Sequence, residues 1–135
     1  MQAIHGHIFQ DVYEWAGQIR EVEISKTDQF MFRQYIPTGM NDVHKRIVKA
    51  GYFKGTNRDD FAEQAGEIIG DVNYVHPFRE GNGRTQLQYL KQLTVRAGHK
   101  IDLSRLDPAK WIEASKTAHE ADYRMMGDCI RDALI

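Results

Sequence analysis

Nine consecutive residues at positions 76–84, "HPFREGNGR", bring together one His, one Glu, one Asn, two Gly and two Arg. Each type has its own chemical capacity. A Gly-Asn-Gly turn ahead of a helix lets a ligand approach the backbone without a Cβ in the way, and the amides of Gly81, Asn82 and Gly83 would sit at the positive end of the helix dipole. Such an arrangement takes an anion. Arg84, in the first helical turn, adds a planar charged fork suited to phosphate oxygens. Glu80 would repel phosphate at close range unless a divalent cation lies between them, as Mg²⁺ does when it shares carboxylate and substrate oxygens. His76 belongs to the type that titrates near neutral pH and can take a proton from an incoming hydroxyl, while Phe78 reads as the anchor of the loop. Singly, each has an ordinary explanation: a His facing a helix dipole, a tight turn, surface charges. Their conjunction within nine positions points to phosphate chemistry.

Other kinds of site fit less well. The stretch is not the longer glycine loop ending in Lys and Ser or Thr, nor does it follow a strand as a dinucleotide fingerprint does. His5 and His7 lie two apart on an expected helix and face different ways, which is wrong for a metal pair. No Ser/His/Asp series is compelling. A net charge of -1 supplies no general attraction to nucleic acid or an anionic membrane. The apolar runs are too short to span a bilayer, and the N-terminus lacks the basic-then-apolar order of a signal peptide. The single cysteine, Cys129, fits a reducing compartment and reads as a small apolar filler.

The elements that must position the loop follow from periodicity. Ile4, Ile8, Val12 and Trp15 recur at helical spacing, predicting a first helix over 3–15 with Gly17 as its stop. Ile19, Val22 and Ile24, then "KTDQ" and Phe30 to Phe32, predict a short β-hairpin over 19–32. From Pro37, the residues Met40, Val43, Ile47 and Val48 share a helical face, and the charges Lys45, Arg46 and Lys49 read as a solvated one. Phe61, Ala65, Ile68, Ile69, Val72 and Val75 mark a strongly apolar helix that Pro77 terminates. Another helix carries Leu87, Leu90 and Leu93 to Gly98. Asp107 caps a helix with Pro108 at its first position, and a last one covers 121–134. The chain thus reads as one all-α domain over residues 1–135, with two central helices flanking the loop.

The loop resembles the signature of the Fic family, His-x-Phe-x-Asp/Glu-Gly-Asn-Gly-Arg-x-x-Arg, and "DVYEWAGQIREVEISK" resembles the family's segment leading into a β-hairpin flap over the active site. This resemblance implies a Fic fold, a helical bundle with a hairpin flap, and an enzyme that transfers AMP from ATP to a Tyr, Thr or Ser hydroxyl of a target protein. By motif position it makes His76 the general base, Glu80 the Mg²⁺ ligand, and Gly81, Asn82, Gly83 and Arg84 the phosphate-binding group. It also makes Glu23, Ile24, Ser25 and Lys26 the flap edge on which a target segment docks by strand addition. Expected partners are that target and a separate antitoxin-like inhibitor, because the family's Ser/Thr-x-x-x-Glu-Gly/Asn inhibitory motif is not in the chain. Neither nucleic acid nor membrane is expected. The setting implied is a bacterial toxin or effector, cytoplasmic or delivered into a host cytosol, and the chain reads as a piece of a longer protein. One position departs from the pattern: Leu87 stands where many members carry a second Arg that contacts the γ-phosphate. Either ATP is oriented less firmly, or another phosphate-containing donor is used, or Leu87 simply packs in the core. A nucleotide-binding module without turnover is the reading from another class.

Overall fold

A computed structural model describes residues 1–26 and 29–135. Six α-helices carry the fold: α1 (Gln2–Phe9), α2 (Ile36–Lys49), α3 (Arg58–Val75), α4 (Asn82–Ala97), α5 (Pro108–His119) and α6 (Arg124–Ala133). Short 3-10 turns lie at Arg33–Tyr35, Gly51–Phe53 and Leu103–Arg105. The centre is α3, which packs against α2, α4, α5 and α6. Its apolar stripe explains that position, since Phe61, Ala65, Ile69 and Val72 are fully buried, each large side chain contributing about 1.5 to 3 kcal/mol. Asn57 starts the helix by accepting from the Asp60 amide at 2.8 Å.

Two glycines inside α3 mark close crossings. A Cβ at Gly66 would meet the Gly127 nitrogen of α6 at 2.8 Å, and one at Gly70 would meet the Tyr123 ring at 2.6 Å. Tyr123 in turn donates to Asp71 at 2.5 Å, and Asp71 also accepts from Arg46 at 2.5 Å. Burial and the Asp71 carboxylate push the Tyr123 phenol up to about 12. Arg46 is therefore a half-buried link between α2 and α3, whereas Lys45 and Lys49 stay exposed as expected. Cys129 of α6 is buried in the same core, where burial raises its thiol pKa.

Two sequence expectations change. The first helix ends at Phe9, and a turn follows in which the Val12 and Tyr13 amides both donate to the Phe9 carbonyl. Val12 is consequently 66% exposed, despite its spacing from Ile8. The β-hairpin expected over 19–32 is not formed as paired strands among the described residues, which show one antiparallel bridge there, Ser25 with Gln29. Thr27 and Asp28 of its expected turn lie outside the described residues. The physical reason is competition for backbone partners. The Arg20 amide donates to Pro77 O at 2.9 Å and the Met31 amide to Tyr74 O at 3.1 Å, so these backbone groups pair with the last turn of α3 and the loop after it.

Candidate active site

The central loop begins where α3 ends. His76 caps α3 in the left-handed conformation, φ 47° and ψ 63°, with its amide donating to Val72 O at 3.0 Å. Pro77 prevents the helix from continuing. Phe78 is fully buried, and the Asn82 carboxamide brackets its backbone, accepting from Phe78 N at 2.9 Å and donating to Phe78 O at 2.7 Å. The Asn82 side chain thus shapes the loop rather than facing a ligand. Gly81 precedes α4 with φ 81°, and a Cβ there would meet the Phe9 ring at 2.4 Å. Gly83 differs, because a Cβ on it would meet nothing within 4 Å. The first amides of α4 have no side-chain cap, and the helix end they form is a natural anion site.

His76 is 7% exposed and stacks on Phe30, with ring centroids 3.8 Å apart. Its Nδ1 lies 3.2 Å from Asn73 O. A carbonyl only accepts, so Nδ1 carries the proton and Nε2 keeps its lone pair. Burial lowers the imidazole pKa to about 4, with Lys26, Arg20 and His119 pushing the same way against the Asn73 hydrogen bond. The ring is neutral at physiological pH, as a base must be. It lines a cleft of about 250 Å³ together with Lys26, Phe30, Gly83, Gln86, Trp111, Ile112, Lys116 and His119.

The other residues singled out from the sequence lie around this cleft in different ways. Lys26 is on its wall, while Glu23 and Ser25 are exposed and Ile24 is half-buried. Glu23 accepts from the Arg33 amide at 2.7 Å, and the Ile24 carbonyl accepts from Phe30 N at 3.2 Å. Glu80 is exposed, and its Oε2 accepts from the Tyr13 hydroxyl at 2.9 Å. That contact is the first cause of a raised Tyr13 pKa. Arg84 sits apart from His76: its guanidinium lies over the Phe9 ring at 5.3 Å and lines a second cleft with Ile4, Ile8 and Leu87. Leu87 is half-buried on that face, while Leu90 belongs to the core.

Several participants escaped the sequence reading because their partners are remote in the chain. His5 is fully buried, accepts from Gly17 N at 2.8 Å through Nδ1, and donates through Nε2 to Glu80 O at 2.8 Å. Its ring also stacks on Phe78 at 4.0 Å, so it braces the loop from below. Trp111, Lys116 and His119 arrive from α5. Arg20 is also buried, at 4% exposure, although nothing in its charged surroundings, Glu21 and Glu23, sets it apart in the sequence; a charged residue is rarely buried without partners.

Residues 1–93 match the Fic/DOC family. A probable protein adenylyltransferase of Sinorhizobium fredii is 37% identical over 132 residues, covering 96% of this chain and 69% of the relative. The protein adenylyltransferase VbhT of Bartonella schoenbuchensis is 35% identical over 133 residues, 97% of this chain but 28% of VbhT. The N-terminal Fic domain of a VirB-translocated effector of Bartonella quintana, solved with ADP, superposes with a TM-score of 0.90 at 26% identity, over 99% of this chain and 71% of that one. BepC of Bartonella tribocorum, solved with AMPPNP, gives 0.89 at 24% identity, over 99% and 72%. With its loop, its helical order and its first 93 residues all in agreement, the chain belongs to the Fic/DOC family.

Proposed function

We propose that this domain transfers AMP from ATP to a Tyr, Thr or Ser hydroxyl of a target protein, with His76 as general base. The observation that carries the reading is one shared cleft, in which a neutral imidazole and the open Gly83 end of α4 face the same space. The target oxygen attacks the α-phosphorus, the bond to the bridging oxygen of the β-phosphate breaks, pyrophosphate leaves, and the hydroxyl proton passes to His76 Nε2. Such chemistry depends on positioning and on neutralising charge. The amides of Gly81, Asn82 and Gly83 would hold phosphate oxygens, and Arg84 would join them by swinging off Phe9. Trp111 and Ile112 offer an apolar wall for a base. The names of the Sinorhizobium and Bartonella relatives, and the ADP in the Bartonella quintana structure, support the same reaction.

Glu80 fits a Mg²⁺ ligand as an exposed carboxylate beside the phosphate end of α4. Among the described residues no three His, Cys, Asp or Glu side chains converge on a metal, so the remaining ligands would be phosphate oxygens and water, the usual environment of Mg²⁺. When bound, the ion would neutralise phosphate charge. The exposed segment 23–26 would receive the target, and a separate protein would supply inhibition. No helix among the described residues is long and apolar enough to cross a membrane. Action in a cytosol, the bacterium's own or a host's, is the setting we infer, the latter from the VirB-translocated neighbours.

The test is incubation with α-labelled ATP, Mg²⁺ and a lysate, followed by mass spectrometry of any labelled band. Label should appear and should vanish in His76→Ala; label that survives the substitution overturns the role of His76. Leu87 is the reason to test a second donor: it lines the cleft of Arg84 where the family pattern has a second Arg. A panel of labelled GTP, UTP and CDP-type donors separates this reading from ATP, and nucleotide binding with no label on any protein would mark a module without turnover.

A further inference from the structure

The guanidinium of Arg20 donates four hydrogen bonds from the protein's interior, and the AMP-transfer step gives it no role. Its side chain is 0% exposed. Nε donates to His76 O at 2.8 Å and one terminal nitrogen donates to Val75 O at 3.2 Å, so it meets two carbonyls at the end of α3. Carbonyls of a final helical turn have no partner within the helix, and a cation there complements the dipole. The same group donates to Val22 O at 2.7 Å and to Met31 O. Those carbonyls stand on either side of the segment that holds Glu23, Ile24, Ser25 and Lys26. Glu23 itself lies 3.7 Å from Arg20.

We propose that Arg20 is a positioning residue that holds the His76 main chain and both roots of the docking segment in one frame, so that seating a target and aligning the base are a single event. The proposal rests on the AMP-transfer reading for its second half. Chemistry makes the residue type specific. Only a planar group with five donors reaches four carbonyls in different directions, whereas an ammonium carries three donors on one atom. His76 is held in its left-handed conformation from both sides, by Val72 O on its amide and by Arg20 on its carbonyl. Phe30, whose ring covers the imidazole, sits next to the anchored Met31. Loosening Arg20 therefore uncovers the imidazole as well as displacing it.

The experiment compares wild type with Arg20→Lys. In wild type the His76 ring, followed by NMR, should titrate near 4, and the Arg20 Nε–H should exchange slowly with solvent. In Arg20→Lys the His76 midpoint should move toward the ordinary value of about 6.5, and labelling from α-labelled ATP should fall on the order of 100-fold, with ADP affinity unchanged. A folded Arg20→Lys protein with wild-type titration and wild-type labelling overturns the proposal. Loss of ADP affinity in parallel with labelling, at an unchanged His76 midpoint, overturns it too, because it marks a general loss of structure. Should Arg20→Lys fail to fold, the wild-type Nε–H decides: exchange as fast as that of an exposed arginine sinks the clamp, and slow exchange supports it. Should wild type label nothing, the AMP-transfer reading fails, while the titration and the exchange still decide whether Arg20 holds His76.

Discussion

His76 combines a strained backbone with a depressed pKa, and each leads to a measurable consequence. A non-glycine residue in the left-handed region costs on the order of 1 to 2 kcal/mol; glycine would relieve it but would remove the imidazole proposed as the base. In the unfolded chain a histidine binds a proton below about 6.5, in the folded protein this one does so only below about 4. Between those values the unfolded state binds more protons, so stability rises with pH. The contribution, on the order of 3 kcal/mol, is fully present above pH 6.5 and gone below about 4. Denaturant midpoints measured across that window should fall with acidity in wild type and more weakly in His76→Gln. The rate of AMP transfer should likewise stay level down to about pH 5 instead of dropping from 6.5. The two loop glycines separate fold from chemistry. Gly81→Ala meets both the Phe9 ring and a φ of 81°, and should destabilise by about 1 to 3 kcal/mol in thermal melts. Gly83→Ala meets no atom; it should keep or gain stability, by up to about 1 kcal/mol, while transfer falls because the methyl occupies the phosphate side of the cleft.

At the scale of elements, the loop is a small structure stapled by one carboxamide. Asn82→Ala leaves both the Phe78 amide and its carbonyl without their partner, a loss of about 2 to 6 kcal/mol on the basis of 1 to 3 per buried group. Differential scanning calorimetry should register it even in protein that still binds ADP. The helices were readable because their signals are local: the stripe of α3, the Asp107 cap of α5 and Pro77 as a stop. Among the described residues the expected hairpin is reduced to one bridge, for a reason visible in the structure. Strand-favouring types stand at Val22, Ile24 and Phe30, and Phe30 N does donate to Ile24 O, but Met31 N donates to Tyr74 O of α3 and the Val22 and Met31 carbonyls accept from the Arg20 guanidinium, partners remote in the chain or on a side chain. The overrun of α1 has a similar origin, since the turn after Phe9 breaks a spacing that by itself still looks helical. Asn82 shows the same limit within the motif, because residue type alone does not tell a ligand from a staple.

At the scale of the molecule, two of the clefts among the described residues lie on either side of the N-terminal end of α4. The imidazole faces one with Lys26 and Lys116; Arg84 and Leu87 face the other with α1. A triphosphate that uses both must bend across the amides of Gly81 to Gly83, with its terminal phosphate toward Leu87. Placing a guanidinium there tests the path. Leu87→Arg should tighten ATP binding roughly tenfold, the lower end of a charge-assisted pair, and leave AMP binding unchanged, both read by calorimetry. Equal affinity of the variant and wild type for ATP would mean that the terminal phosphate goes elsewhere. The buried Cys129 has a practical meaning at this scale. As the single thiol of the chain, packed in the α3–α6 core and with a raised pKa, it should react with an alkylating reagent slowly while the core is closed and faster once it opens. Its modification rate should report opening of the core, and a second cysteine placed at exposed Ser25 becomes a fast, separately timed reporter that a target should protect if residues 23–26 are where it docks.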